Sequence, residues 1–211
     1  MISISILFSG RGTNAQSILK SIIKKDLNFK VKKVVCNNSH AVGINKIRNL
    51  GVDVSIIDQK KYANKEEFNR AVQNLLNPKE GELLLLCGYM KKIPDEIIKS
   101  YFGNIINIHP SLLPRYKGLN THEKVILNND TIHGCTTHYV TTNIDDGPII
   151  AQSSISVLKN DTPEKIALRL LSVEHKLFYN TLKLVENNYI KLKNKKILYK
   201  GNILRKPIIF N

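Results

Sequence analysis

From Ile2 to Pro110 the chain alternates short β-branched runs with stretches whose apolar residues recur at helical spacing, and few folds accept that alternation. "ISISILF" reads as a strand and turns through "SGRGTN". "AQSILKSIIKK" places Ile18, Leu19, Ile22 and Ile23 on one helical face. "VKKVVCN" reads as a strand, "AVGINKIRNLG" as a helix stopped by Gly51, and "VDVSIID" as a strand. "NKEEFNRAVQNLLN" is a helix with Asn64 and Glu67 spaced as a variant capping box. "ELLLLCGYM" is apolar on both faces, as in the middle of a parallel sheet, "PDEIIKSYFG" is a short helix opened by proline, and "NIINIHP" is the next strand. Strands and helices in this order predict an α/β fold with a doubly wound, mostly parallel sheet.

The second half changes character. "HEKVILNND" is helical, and "GCTTHYVT" and "PIIAQSSISVL" are strands joined by the acidic turn "NIDDG". One long amphipathic helix runs from Thr162 to Asn188, and "YIKLKNKKILYKG" reads as a terminal hairpin, so antiparallel additions are expected at the C-terminal end. With no repeat and no low-complexity linker, residues 1–211 read as one domain, with halves 1–100 and 101–211. The start, "MISISILFSGRG", lacks the basic segment and small-residue cleavage site of a signal peptide, and no apolar run reaches transmembrane length. Cys36, Cys87 and Cys135 are isolated and odd in number, which predicts reduced, buried thiols and a cytoplasmic location.

A net charge of +15 asks for an anionic partner. Apart from short clusters at Lys24–Lys25, Lys32–Lys33 and residues 191–200, the lysines are spread along the chain, and aromatic residues do not interleave with them as a stacking platform requires. The favoured reading is compositional drift together with a small anionic substrate. Nucleic-acid binding is the minority reading, and no membrane partner is expected.

Ligands of open parallel sheets bind beyond the carboxyl ends of strands. Residues 10–14, "GRGTN", follow the first strand and open the first helix, where backbone N–H groups can cradle a phosphate. A dinucleotide fingerprint is excluded, because its third glycine is missing and "CNN" ends the second strand without an acid for a ribose. A phosphate-binding loop of the Gly-Lys-Ser/Thr type is absent too. On its own the loop fits a phosphate cradle and a plain tight turn about equally.

Residues two apart on a strand share a face, so Asn107 and His109 point the same way just before Pro110 ends the ladder. An amide can donate to a developing oxyanion, and an imidazole can move a proton near neutral pH. A carboxylate beside the ring would orient it and favour its charged form. Asp145, in "NIDDGP", is the candidate, with Asp146 as the alternative. The competing reading is that Asn107 and His109 merely satisfy backbone groups around a proline turn; a strand-end Asn-x-His with an acidic turn downstream tilts the balance to function. Other chemistries are weaker. "HEKVI" has Ile126 where a zinc helix needs its second histidine, no Gly-x-Ser-x-Gly occurs, and His133 and His138 read as structural histidines, with a pocket-facing His138 the lesser reading. No metal site is expected.

"FSGRGTN", "CGYMKKIP", "NIHPSLLPRYKG", "HGCTTHYVT", "DDGPII" and "VEHKLF" resemble, in order and approximate spacing, the glycinamide ribonucleotide formyltransferases, folate-dependent enzymes of purine biosynthesis. The resemblance spans essentially the whole chain and implies a Rossmann-like formyltransferase fold. It implies that Asn107, His109 and Asp145 are catalytic and that Gly12, Thr13 and Asn14 hold the ribonucleotide phosphate. Glu174 would contact the glycinamide portion. Met90, Lys91, Lys92 and Ile93 would line the formyl-folate site through backbone groups, with Lys65 and Asn107 also on that co-substrate. The first half would then be the phosphate-binding half and the second the catalytic and folate-binding half. Thr13 stands where the family usually has Ser, Lys65 and Lys91 where it has Arg, Leu171 where relatives carry Lys or Gln, and Thr142-Asn143 where the loop is usually acidic.

The implied reaction is attack of the ribonucleotide amine on the formyl carbon of 10-formyltetrahydrofolate, with Asn107 and a protonated His109 donating to the oxyanion and Asp145 stabilising the imidazolium. 10-Formyltetrahydrofolate is a co-substrate, no metal is involved, and a monomer or weak homodimer is expected. Two rivals share the chemistry. A methionyl-tRNA formyltransferase would need a further C-terminal domain, and its proline turn differs from "KGLNTHEK"; a formyltetrahydrofolate deformylase would need a further N-terminal domain. A non-catalytic, basic nucleic-acid-binding protein is the reading from a different class.

Overall fold

Ile4, Ile6, Leu7 and Phe8 are all but fully buried, and so is Ser5 between them, which places the first strand, β1 (Ile2–Phe8), inside a sheet covered on both faces. The computed structural model describes residues 1–101 and 103–211. The chain divides into two compact units, Met1–Ile106 and Asn107–Asn211.

In the first unit β1 is followed by α1 (Thr13–Ile23), β2 (Phe29–Cys36), α2 (Gly43–Arg48), β3 (Ser55–Ile56), α3 (Lys65–Leu76), β4 (Leu83–Leu86) and α4 (Asp95–Ser100). The strand order is β4-β1-β2-β3, with every pair parallel. β1 thus has β2 on one edge and β4 on the other. Strand order reverses at β1, and its carboxyl end is the kind of switch point at which open α/β sheets bind ligands. All four leucines of β4 are buried, as its unbroken apolar run predicts. β3 is shorter than "VDVSIID" suggests, because only Ser55 and Ile56 pair, with Val35 and Cys36, at the sheet's edge.

Local chemistry sets the helix ends. Asn64 caps α3 by accepting from the Glu67 N–H at 2.9 Å, and Glu67 reaches back to the Ala63 N–H, one residue before the amide that a standard capping box would use. Asn77, with φ of 39°, closes the helix in the left-handed region. Pro94 is the N-cap of α4 rather than its first helical residue. Phe102, part of the stretch expected to form that helix, lies outside the described residues.

β5 (Ile105–His109) straddles the division between the units. The second unit continues with α5 (Thr121–Leu127), β6 (Ile132–Tyr139), β7 (Ile149–Ser156), α6 (Pro163–Glu186), β8 (Ile190–Lys193), β9 (Lys196–Tyr199), β10 (Asn202–Ile203) and β11 (Ile208–Ile209). Its sheet runs β11-β7-β6-β5. β6 and β7 are antiparallel, with a register irregularity between Thr137 and His138, and β11 joins β7 in parallel. α6 packs on β6 and β7, and the buried Thr137 and Thr181 hydroxyls link β6 to it at 2.8 Å. β8, β9 and β10 form a separate antiparallel sheet that extends the expected hairpin. The α/β class, the mostly parallel pairing and the antiparallel additions agree with the reading of the sequence. β10 and β11 do not feature in that reading, since two-residue strands carry no periodicity. No described helix is long and apolar enough to cross a membrane.

Candidate active site

Period-two geometry puts Asn107 and His109 on one face at the end of β5, with the His109 ring almost wholly buried. The proline-containing loop beyond them is pinned to its own unit. Thr136 Oγ1 donates to the Ser111 carbonyl at 2.6 Å and accepts from the Leu113 N–H at 3.1 Å, and Gln152 donates to the Leu113 carbonyl at 2.8 Å. Asp130 holds the loop's tip through Arg115 and the Tyr116 hydroxyl. So anchored, the loop delivers two backbone groups. The Tyr116 carbonyl accepts from His109 Nε2 at 2.9 Å, and the Gly118 N–H donates to Asp145 Oδ2 at 2.9 Å.

Asp145 comes from the turn between β6 and β7, where its own φ is 48°. Gly147 makes that turn feasible, because a Cβ there would lie 1.7 Å from the Tyr139 carbonyl oxygen. Asp145 Oδ2 is 3.3 Å from His109 Nδ1, and Asp145 Oδ1 is 3.5 Å from Asn107 Nδ2. Asp146, the alternative acid, pairs instead with the exposed Lys117.

A carbonyl can only accept, so His109 Nε2 carries a proton and Nδ1 is the ring atom left to do chemistry. Burial, foremost, pulls the His109 pKa below its ordinary value; the Asp145 charge and the Tyr116 carbonyl oppose that pull without reversing it, and His138 and Lys124 add to it. At pH 7 the resting ring is therefore mainly neutral, with the Nδ1 lone pair facing a carboxylate. Desolvation outweighs the ion pair in the resting ring, so the protonated His109 of the implied reaction has to form during turnover. Burial also pushes the Asp145 carboxyl up, but interaction with His138, the His109 charge and the Gly118 N–H outweigh it and hold Asp145 below the usual carboxylate range. The pair is a ready slot for one proton: absent, two lone pairs face each other; present, an ion pair forms.

His138, read from sequence as structural, joins this group. Its Nε2 lies 3.1 Å from Asn107 Nδ2 and 3.6 Å from Asp145 Oδ1, and its Nδ1 lies 2.9 Å from the Tyr139 carbonyl oxygen. The available signal was its place at the end of a strand neighbouring β5. Glu174 is buried on α6, where its charge assists burial in pushing the Cys135 thiol up. All three cysteines are free and buried. His122 and His133 touch at 3.0 Å, outside the Asn107–His109–Asp145 contacts. Among the described residues no group of three or more His, Cys, Asp and Glu is placed to hold a metal ion.

The remaining residues singled out in the sequence belong to the first unit. Gly12 is the N-cap of α1 with φ of 61°, and a Cβ there would press on the Phe8 ring at 3.2 Å. Thr13 and Asn14 open the helix, whose first turn holds no acidic residue. Such an end suits an anion. The Met90 N–H donates to Ser9 Oγ at 2.9 Å, tying "GYMKKIP" to the end of β1. Met90, Lys91 and Lys92 are exposed, while the Ile93 side chain is buried, so only its backbone could meet a ligand. Lys65 is exposed at the first position of α3.

The family described as formyl transferase matches residues 2–182. A phosphoribosylglycinamide formyltransferase of Haemophilus influenzae is 31% identical over 206 residues, covering 98% of this chain and 97% of that protein. The trifunctional purine biosynthetic protein adenosine-3 of Gallus gallus is 34% identical over 90% of this chain, which spans only 19% of that protein's length. Among solved structures, the phosphoribosylglycinamide formyltransferase of Coxiella burnetii in complex with CHES superposes with a TM-score of 0.91 at 32% identity, covering 100% of this chain and 99% of that one.

Proposed function

The chain belongs to the formyl transferase family, and from that premise we propose that it moves a formyl group from 10-formyltetrahydrofolate to the primary amine of glycinamide ribonucleotide, a step of purine biosynthesis. The observation that carries the reading is the convergence of Asn107 and His109 on Asp145 in the second unit, with His109 Nδ1 and the Asn107 amide both beside one carboxylate. Relatives of nearly full coverage bear the name of that activity.

In the proposed reaction the amine attacks the formyl carbon and the formyl oxygen becomes an oxyanion. Asn107 Nδ2–H donates to it. The attacking nitrogen sheds a proton to His109 Nδ1, so the imidazolium forms beside Asp145 as the oxyanion develops. That proton then passes to the folate nitrogen as its bond to the formyl carbon breaks, and the amide product leaves. No proton is gained or lost overall, and no covalent enzyme intermediate is needed. Gly12, Thr13 and Asn14 are assigned to the ribonucleotide phosphate, on the helix-end argument. Glu174 is assigned to the glycinamide portion. Met90, Lys91, Lys92, Ile93 and Lys65 are assigned to the folate. A lysine at position 65 offers the folate's carboxylates a point charge rather than a two-pronged grip.

The deciding experiment mixes protein, 10-formyltetrahydrofolate and glycinamide ribonucleotide and follows the deformylated folate by absorbance. The proposal expects turnover only when the ribonucleotide is present. Equal turnover without it would make the protein a hydrolase, and none in either case would sink the reading.

Asp145→Asn tests the charge relation. The Asp145 charge raises the His109 pKa against the pull of burial, so its removal sends that pKa lower still. The neutral ring is the working form, so rate is lost as pH falls through this pKa. The variant's acid limb is expected to move to lower pH. Its plateau rate should fall roughly tenfold or more, because an opposite charge at this distance is worth about one to three pKa units to the imidazolium. A pH–rate profile with an unmoved limb would remove Asp145 from the mechanism.

A further inference from the structure

We propose that His138 is a positioning residue that fixes which end of the Asn107 amide faces the reacting atoms. The proposal deepens the formyl-transfer reading and rests on it only for its kinetic consequences.

An asparagine amide can sit in its site either way round, and the two orientations present opposite chemistry: an N–H that donates or an oxygen that repels an oxyanion. His138 decides between them by a chain of hydrogen bonds. It is 1% exposed, so water does not compete for its ring. Its Nδ1 lies 2.9 Å from the Tyr139 carbonyl oxygen, which can only accept, so Nδ1 bears the proton. In the neutral ring Nε2 then carries a lone pair. Asn107 meets that lone pair at 3.1 Å, and only the amide nitrogen satisfies it; the amide oxygen would set lone pair against lone pair. The contact from Nε2 to Asp145 Oδ1, at 3.6 Å, is longer than a hydrogen bond, so Asn107 is the nearer partner.

One N–H of Asn107 is thus committed to His138. The other is directed to the Asp145 side, where it makes a long contact of 3.5 Å to Oδ1. That weakly held N–H is the one a developing oxyanion can take. Without the Nε2 acceptor the amide is free to turn its oxygen to the same place.

Glutamine and asparagine variants separate this role from simple packing. Glutamine at position 138 can place its side-chain oxygen near the position of Nε2 and keep an acceptor for Asn107. Asparagine is shorter and keeps a polar group only near Nδ1, toward Tyr139. His138→Gln is expected to stay within about threefold of the parent kcat, and His138→Asn to lose roughly tenfold, the worth of one such hydrogen bond. KM for both substrates should stay within about twofold, since the oxyanion exists only in the transition state. If Asn restores turnover and Gln does not, the bond to Tyr139 is the one that matters and the proposal is overturned. In an Asn107→Ala background His138→Asn should cost nothing more, because a residue that acts through Asn107 has nothing left to act on. A further loss there overturns it too.

One measurement needs no catalysis. Long-range proton–nitrogen correlation spectra of the labelled full-length protein, with His138→Gln used to assign the signal, report which ring nitrogen is protonated. A proton on Nδ1 and a hydrogen-bonded lone pair on Nε2 are expected. A neutral ring protonated on Nε2 would sink the proposal. Should the parent protein transfer no formyl group, the functional reading fails while this spectrum still decides the orientation of the amide.

Discussion

Alanine in place of Asn107 is expected to lower kcat roughly 100- to 1000-fold, the usual cost of deleting one donor to a developing oxyanion. The substituted side chain is half-buried at the end of β5, contributes nothing to the apolar core, and is flanked by Ile106 and Ile108, which hold the strand in place. The fold should therefore survive, with a modest stability loss from leaving the His138 Nε2 acceptor without its donor. KM for either substrate should change little, because the lost bond forms only when the formyl oxygen becomes charged. Steady-state kinetics beside a thermal unfolding curve separates the two effects. A variant that stays within tenfold of the parent would mean that the oxyanion is stabilised by something other than this amide.

How much of such a site can be read before a structure exists depends on whether the information is local. Asn107 and His109 were legible because their relation is period two along one strand. Asp145 was legible as the first choice over Asp146 because an acidic turn between two predicted strands had to lie at a strand end, and the structure adds that Lys117 occupies Asp146 while Gly118 meets Asp145. His138 was visible as a residue and not as a participant, because its contacts depend on which strand lies next to β5 and in what register. Tyr116 and Gly118 act through a carbonyl and an N–H, which every residue but proline has, so no side-chain pattern could mark them. Pro94 fell one position from its expected place, and the two-residue β11 adds an edge beside β7. Both turn on local geometry or pairing partners that hydrophobic periodicity does not encode. The resting charge state of His109 was not legible for the same reason. Its acid partner was foreseeable, but the burial that outweighs that partner is a property of the assembled unit.

The largest loss is expected from His109→Ala, at roughly 100- to 10,000-fold in kcat, the range over which a positioned proton-transfer group contributes. The side chain does two jobs at one atom. Nδ1 receives the proton that the attacking amine must shed, and the imidazolium so formed becomes the charge beside the oxyanion. Alanine removes both, and it leaves the Asp145 carboxylate with the Gly118 N–H but without the ring at 3.3 Å. The sign of the pH dependence follows from the same atom. In the parent the neutral ring accepts the proton, so rate falls as pH drops through a pKa that burial has set below the ordinary imidazole value. In the alanine variant that limb should disappear, leaving a low and flat profile. Because the substitution vacates an imidazole-shaped space, added free imidazole should restore part of the lost rate in a concentration-dependent way, while doing nothing for Asn107→Ala. The rescued rate should carry the pKa of free imidazole rather than the lowered one. An alanine variant that kept the parent's acid limb would place the titrating group elsewhere, and the assignment of proton transfer to His109 would have to be abandoned.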